Sequence, residues 1–479
     1  MADIINSLLT KLSKDEIPNV YSKKTLSNYT KNRLLEFQEE HVLKLINIIL
    51  NNYIALDLSN TGTGKTYVAC AICKELNRKP IIICPKTLIY NWHLILSYFN
   101  IEAYDIVNFE TIKNAKSYTN KKCAYRQQSK YIKLNDADIH ESIYKWYLPS
   151  DAIIIIDEVH RCKDPSTFNG KLLLSTKQAI DNKIPVVLLS ATIYEKFNDM
   201  KIIFYLLGII PGIHNYNHYI KIVKKNHPEF RKKTDKENIK SVIIYKEIEK
   251  FCSMLKIKDL GDRFPLNQVC VQQFMIDNFD DVKNAYDKIE KLIYKLKENT
   301  GLHHLAKIQK LKQEIELHKA PIFIEQAKLY LDEKKSVVIF VNYLDTLKFL
   351  TDELNIKCQI HGNQTLDERK NSIDLFQSNK ENIIICQIRA GNVGIGLHDL
   401  DGNHPRVSLI NYPDSATDLL QALGRIYRSG TKSVVLQRII SIANIPYEIK
   451  IMDNINNKLH NISTINNDDL NTYNFEIIN

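Results

Sequence analysis

Apolar positions along this chain fall into short continuous runs separated by segments of helical spacing, and the pattern occurs twice. From about residue 34 to 215 the runs are YIALDLS, PIIICP, AIIIID and PVVLLSAT. From about 321 to 445 they are SVVIFVN, KCQIHG, NIIICQI, RVSLINY and SVVLQRII. Short β-rich runs alternating with helical stretches predict parallel sheets flanked by helices, so the fold class is α/β with two such blocks. Residues 216–320 are lysine-rich, and KIEKLIYKLKENTGLHHLAKIQKLKQEIELHK is their clearest helical part, predicting a mostly helical, basic connection into the second block. Residues 1–33 form an N-terminal extension. Residues 446–479 give one helix after Pro446 and an Asn-rich tail expected to fray.

Composition narrows the class without naming a function. The chain has 479 residues, too many for one core, with 44% apolar and 25% charged positions. No apolar run has the length of a membrane span. The longest, IIFYLLGIIPGI, is broken by Gly208 and Pro211. The first residues, MADIINSLLTKLSKDE, lack the apolar core of a secretory signal, so the expected setting is intracellular, nuclear or cytoplasmic, with a virion also compatible. The nine cysteines are scattered singly except for Cys70 and Cys73, which read either as half of a metal site or as small buried hydrophobes. A net charge of +10 permits an anionic partner. Heavy use of Asn, Ile, Lys and Tyr is what an AT-rich genome produces.

Candidate chemistry is concentrated at two strand ends. SNTGTGKT, residues 59–66, follows one predicted strand and opens a helix, the context a phosphate-binding loop requires. Ser59 stands where the usual pattern has its first glycine, but it is small and turn-compatible. Gly62 and Gly64 let backbone N–H groups of Ser59, Asn60, Thr61 and Thr63 turn toward phosphates. Lys65 would reach the β- and γ-phosphates, and the Thr66 hydroxyl would hold Mg2+. Then AIIIIDEVH, residues 152–160, runs four isoleucines into two acids. Asp157 suits Mg2+, and Glu158 suits the positioning of an attacking water. Together the two motifs predict an ATPase or GTPase.

These residues resemble the superfamily-two helicases and translocases, whose acidic motif is DExH or DExD. LSATI (189–193) matches the family's Ser-Ala-Thr motif, and QALGRIYR (421–428) its Q-x-x-G-R-x-x-R. Family loops often lack the first glycine, which accommodates Ser59. The Swi/Snf-type branch is the closer likeness. CPKTLIYNW, DIVNFETIK, DEVHRCKDPST, IHGNQTLDERKNSIDLFQ and RAGNVGIGLHDL resemble its further segments in the right order, over roughly residues 34–445. The chain departs from that branch at LSATI, at His398 and at Ser429-Gly430, which leaves the branch, and DNA versus RNA, open.

The resemblance implies two RecA-like lobes that bind ATP and Mg2+, and it implies roles by position. Gln38 would read adenine, and Gly396 would also lie at the nucleotide. His160, Ser190, Ala191 and Thr192 would couple the site to nucleic acid, while Gln421, Arg425 and Arg428 would serve catalysis, the arginines at the γ-phosphate. Lys86, Thr87 and Arg389 would touch a nucleic-acid backbone without sequence specificity. Outside those motifs, KNAKSYTNKKCAYRQQSKYIK (113–133) carries six lysines and Arg126 interleaved with Tyr118, Tyr125 and Tyr131 and no acid. It reads either as a stacking, phosphate-neutralising track or as a solvated insertion. A second basic stretch, 221–240, reads better as linker. The expected function is an ATP-dependent helicase or translocase acting on duplex nucleic acid, DNA slightly favoured, with no membrane role. The alternatives are an RNA helicase of the same superfamily and a phosphate-loop ATPase that ignores nucleic acid. Membership of a large DNA virus would suit the residue usage.

Overall fold

The computed structural model describes residues 23–478 apart from 121–122, 124, 135–142, 192–196, 227–243, 258–259, 261–263, 299–301, 392–394, 414 and 466–475. The chain divides into two compact units, 1–260 with 460–469, and 261–459 with 470–479. Each is a parallel sheet flanked by helices, as the alternating pattern predicts.

In the first unit, α1 (Glu36–Asn52) leads into β1 (Ile54–Asp57), the phosphate loop and α2 (Lys65–Glu75). Then follow β2 (Lys79–Cys84), α3 (Ile89–Tyr98) and β3 (Asp105–Asn108). The sheet is completed by β8 (Ala152–Asp157), β9 (Val186–Leu189) and β10 (Cys252–Ser253), in the order β10-β1-β9-β8-β2-β3. Nearly every residue of β1, β2, β8 and β9 is buried, because a central parallel strand is covered on both faces. Ile54, Leu56, Ile81, Ile83, Ile154, Ile156, Val186 and Leu188 share one core. Val42, Leu45, Ile46 and Ile49 are buried along α1 at the spacing of one helical face. Cys70 and Cys73 are buried in α2, and burial pushes both thiols above their ordinary range. They are packing residues here. Among the described residues all nine cysteines are buried and none is joined in a disulfide.

The predicted insertion after β3 is two short antiparallel hairpins: β4 (Lys116–Tyr118) with β5 (Arg126–Gln128), and β6 (Ile132–Leu134) with β7 (Tyr144–Trp146). Its aromatics do not all stand ready to stack. The Tyr118 hydroxyl donates to Asn108 Oδ1 at 2.7 Å, and the Tyr131 ring lies 5.4 Å from that of Tyr104. Tyr125, 71% exposed, is open to a partner. The basic residues 227–240 lie outside the described residues.

The second unit begins earlier than the apolar pattern suggests. Its sheet runs β13-β14-β12-β15-β16-β11-β17. The members are β11 (Asn267–Phe274), β12 (Ser336–Val341), β13 (Cys358–Ile360), β14 (Ile383–Gln387), β15 (Arg406–Asn411), β16 (Val435–Ile442) and β17 (Glu476–Ile478). β11 lies in the stretch expected to be connector, and β17 in the tail expected to fray. Three glutamines in NQVCVQQF hide the first from a search for apolar runs. Helices α4 (Phe279–Glu298) and α5 (Leu302–His318) belong to this unit too. Val282, Tyr286 and Ile289 of α4 share a core with Ile308 and Ile315 of α5 and with Ile442. Next comes α6 (Ala320–Asp332), and α7 (Ala416–Ile426) carries the arginine motif. No helix among the described residues is long and apolar enough to cross a membrane.

Candidate nucleotide site

Strand order creates the site in the first lobe. β9 lies between β1 and β8, so the loops leaving these three strands emerge side by side at the carboxyl edge of the sheet, where open α/β sheets bind ligands. Asp57 and Asp157 both pair with Leu189, which sets the two acids in one row across the sheet. The Ser190 amide donates to the Asp57 carbonyl at 3.1 Å, continuing the ladder past the last strand residue.

The phosphate loop needs its two later glycines. Gly62 and Gly64 have φ of 83° and 89°, a region that favours glycine. A Cβ on Gly64 would also come 2.4 Å from Gln38 Nε2. Gln38 is buried; its Nε2 donates to the Thr63 carbonyl at 2.8 Å and its Oε1 accepts from the Leu35 amide at 2.9 Å. It therefore braces the loop from α1. Lys65 Nζ donates to the carbonyls of Ser59 at 2.7 Å and Asn60 at 3.0 Å, so the ammonium sits inside the loop's own curve. Thr63 is buried, and Asn60, Thr61 and Thr66 are half-buried.

The acidic motif stands opposite. Asp157 is buried, and its Oδ2 accepts from Trp92 Nε1 at 3.1 Å. Burial and the neighbouring Glu158 raise its pKa to about 7, against the lowering influence of Lys65 and Trp92. The Asp157 carboxylate and the Thr66 hydroxyl offer hard oxygen atoms, the donor chemistry that suits Mg2+. Glu158 adopts φ 60° and ψ 49°, left-handed backbone uncommon outside glycine and asparagine. His160 Nδ1 lies 3.3 Å from Glu158 Oε2 and 3.1 Å from Ser190 Oγ. Glu158 and Ser190, 32 positions apart in sequence, are thus joined through one imidazole. Ala191 follows Ser190 at this edge, and Thr192 lies outside the described residues.

In the second lobe the arginine motif is divided by burial. Arg425 is 2% exposed, with Nε donating to the Gln421 carbonyl at 2.9 Å and Nη1 to the Ile395 carbonyl at 3.1 Å. Arg428 is half-buried, with Nε donating to the Gly424 carbonyl at 2.8 Å. A Cβ on Gly396 would come 3.5 Å from Arg428 Nη1 and 3.2 Å from the His398 ring, so these residues form one cluster. Burial and the charges of Arg428 and Arg406 lower His398 to about 4, which leaves it neutral near pH 7. Of the residues expected at a nucleic-acid backbone, Lys86 and Arg389 are exposed, while Thr87 is half-buried with its hydroxyl enclosed.

Sequence reasoning missed Trp92 as a partner of Asp157, although it ends the quoted LIYNW segment. It also missed His41, whose signal was a histidine among the apolar positions of α1, and Asp57, an acid closing an apolar strand.

Residues 31–195 match the family described as "Type III restriction enzyme, res subunit", and residues 307–430 match "Helicase conserved C-terminal domain". An Acanthamoeba polyphaga mimivirus protein named "Putative ATP-dependent RNA helicase" is 54% identical over 491 residues, covering 99% of this chain and 92% of that protein. Among solved structures, a Sulfolobus solfataricus SWI2/SNF2 ATPase core in complex with dsDNA is 17% identical, with a TM-score of 0.34, covering 95% of this chain and 97% of its own. The S. cerevisiae Dbp5 structure with RNA and ADP BeF3 is 14% identical, with a TM-score of 0.46, covering 94% and 93%. Those two likenesses do not distinguish DNA from RNA. With phosphate loop, acids and arginine helix carried on two RecA-like lobes, the chain belongs to the superfamily-two helicases and is a nucleic-acid-dependent ATPase.

Proposed function

We propose that this ATPase moves along, or unwinds, duplex nucleic acid, with DNA as the leading substrate. The observation that carries the reading is the meeting of phosphate loop, Asp157–Glu158 and His160–Ser190 on three adjacent strand ends. The Ser59 and Asn60 amides, expected to face phosphates, donate instead to Asp57 Oδ1 and the Leu255 carbonyl, so the amides of the later half of the loop and Lys65 bind the phosphates, with Lys65 exchanging two backbone carbonyls for phosphate oxygens. Thr66 and Asp157 would hold Mg2+, which supplies charge neutralisation at the phosphates. Glu158 accepts a proton from water and orients it, and His160 passes the state of Glu158 to Ser190. Gln38 braces the loop and stands where the family reads adenine.

Arg425 and Arg428 divide the work of their motif. Arg428, half-buried, is the charge offered to the nucleotide, and Arg425 with Gln421 positions the loop at Ile395–Gly396. Lys86, Thr87, Arg389 and the exposed Arg126 with Tyr125 supply backbone contact and stacking. An RNA substrate is the second reading, favoured by the name of the mimivirus relative. ATP turnover measured with duplex DNA, single-stranded DNA and RNA, with Glu158→Gln as control, tests both. Stimulation by duplex DNA above RNA supports the leading reading, the reverse order supports the second, and flat turnover across all three overturns both.

A further inference from the structure

The phosphate loop is gripped from two sides, and the second grip has no part in the chemistry above. Leu58 N donates to the Ser253 carbonyl at 3.0 Å, and Asn60 N to the Leu255 carbonyl at 3.0 Å. In return, Leu255 N donates to Ser59 Oγ at 2.9 Å and Ile257 N to Asn60 Oδ1 at 2.8 Å. These four bonds extend the β1–β10 pairing into the first half of the loop. The residues after Ile257 carry the chain across the boundary at 260–261 into the second lobe.

Behind this zipper lies a buried polar cluster. The Ser59 hydroxyl donates to Asp57 Oδ1, which also accepts from the Ser59 amide at 3.0 Å. His41 Nε2 is 3.2 Å from both Ser59 Oγ and Asp57 Oδ1, and its Nδ1 is 2.8 Å from Ser253 Oγ. His41, Asp57, Ser59 and Ser253 are 4%, 0%, 0% and 5% exposed. Burial works to raise the Asp57 carboxyl, but His41, Lys65 and Ser59 together hold it below its ordinary range. Buried polar groups are costly unless they bond to one another, so removing one member unseats the others. A glycine at 59 would keep the backbone and lose the hydroxyl on which Leu255 N, Asp57 and His41 converge.

We propose that Ser59, held by His41, Asp57 and Ser253, is a positioning residue that ties phosphate-loop occupancy to the strip Ser253–Ile257 leading to the second lobe. Lys65 holds the carbonyls of the same two residues, Ser59 and Asn60, that the strip holds from the other side. When the ammonium turns to a phosphate, the Ser59 and Asn60 carbonyls each give up that bond, Asn60 keeping the Thr63 hydroxyl at 2.9 Å, and the strip holds the first half of the loop from the other side. The proposal rests on the nucleotide-site reading.

Amide hydrogen exchange of the full chain, with and without a non-hydrolysable ATP analogue and Mg2+, tests it, with analogue binding measured separately by calorimetry. One hydrogen bond made or loosened changes exchange about fivefold, so protection of the Leu255 and Ile257 amides should change by about that factor or more on binding. In Ser59→Gly and Ser59→Ala, compared at analogue concentrations that calorimetry shows to saturate each variant, the change at these amides should be lost. If neither variant folds, Ser253→Ala, which removes only the His41 partner, should at least halve the change. Analogue binding to the wild type without any change at 255–257 overturns the proposal, as does a full change in a folded variant. Failure of the wild type to bind the analogue overturns the nucleotide-site reading and the proposal with it.

Discussion

Both lobes bury charged side chains, but they use them differently. In the first lobe the buried acids Asp57 and Asp157 close strands at the carboxyl edge of the sheet, and each is set against the phosphate loop or its lysine. In the second, the buried charges hold helices to the sheet. Lys319 Nζ lies 2.5 Å from Glu448 Oε1, which also accepts from the Tyr286 hydroxyl at 2.6 Å. Glu448 Oε2 accepts from Ser441 Oγ and the Ile442 amide, both at 2.9 Å. Glu316 accepts from the amides of Asn342 and Tyr343 at 2.9 Å each. Glu316 and Glu448, each bonded by several donors from neighbouring elements, are structural ties, whereas Asp57 and Asp157 stand at strand ends within the electrostatic reach of the loop's Lys65. The contrast separates stability from chemistry in one molecule.

The sharpest test of that separation is Lys319→Met. Breaking a buried pair from one side costs about 3–5 kcal/mol, so denaturant unfolding of the second lobe should shift by that amount. Lys65→Ala should do the opposite, lowering ATP turnover about 100-fold or more while unfolding stays close to wild type. Equal destabilisation by both variants would dissolve the distinction between the lobes.

Within the second lobe the same line runs between two arginines three residues apart. Arg425→Ala removes a buried cation bonded to two carbonyls and should cost about 1.5–3 kcal/mol in thermal or denaturant unfolding. Arg428→Ala should leave unfolding within about 0.5 kcal/mol of wild type and lower nucleic-acid-stimulated turnover about tenfold. Swapped phenotypes would assign the role in turnover to Arg425 instead.

The smallest effect concerns an ion pair at the edge of the first lobe, in contrast with the buried pair of the second. Glu75 lies 2.5 Å from Lys23 Nζ and accepts from the Ser27 amide at 3.1 Å. Burial raises its pKa, but Lys23, Ser27 and Thr30 outweigh that and lower it from 4.5 to about 2. Because the folded state favours the ionised form, the stabilisation is complete above pH 4.5 and is lost as pH falls through about 2. Melting curves of wild type and Glu75→Gln should therefore differ at pH 7 and converge by pH 2. A gap that persists at the lowest pH would mean that the pair does not act through charge.

Much of the first lobe was legible because its signals are contiguous. Gly62, Gly64 and Lys65 declare a loop through backbone geometry within five residues, and four isoleucines before Asp157 declare a buried strand end. In the second lobe, β11 was not legible because its glutamines break the apolar run. The two-residue β10 is too short to leave any periodicity. The basic insertion was legible in charge but not in the use of its aromatics, since Tyr118 and Tyr131 bond and pack against the lobe.

By itself the sequence determined the α/β class, the phosphate loop, the acidic strand end and the arginine helix, because each follows from the conformational preferences of near neighbours. Only the tertiary structure decided which of these groups meet. The order β10-β1-β9-β8 brings Ser190 to His160, and brings Ser253 to His41 from 212 positions away. Strand order is set by the burial of whole faces, a property of the assembled sheet rather than of any stretch of chain.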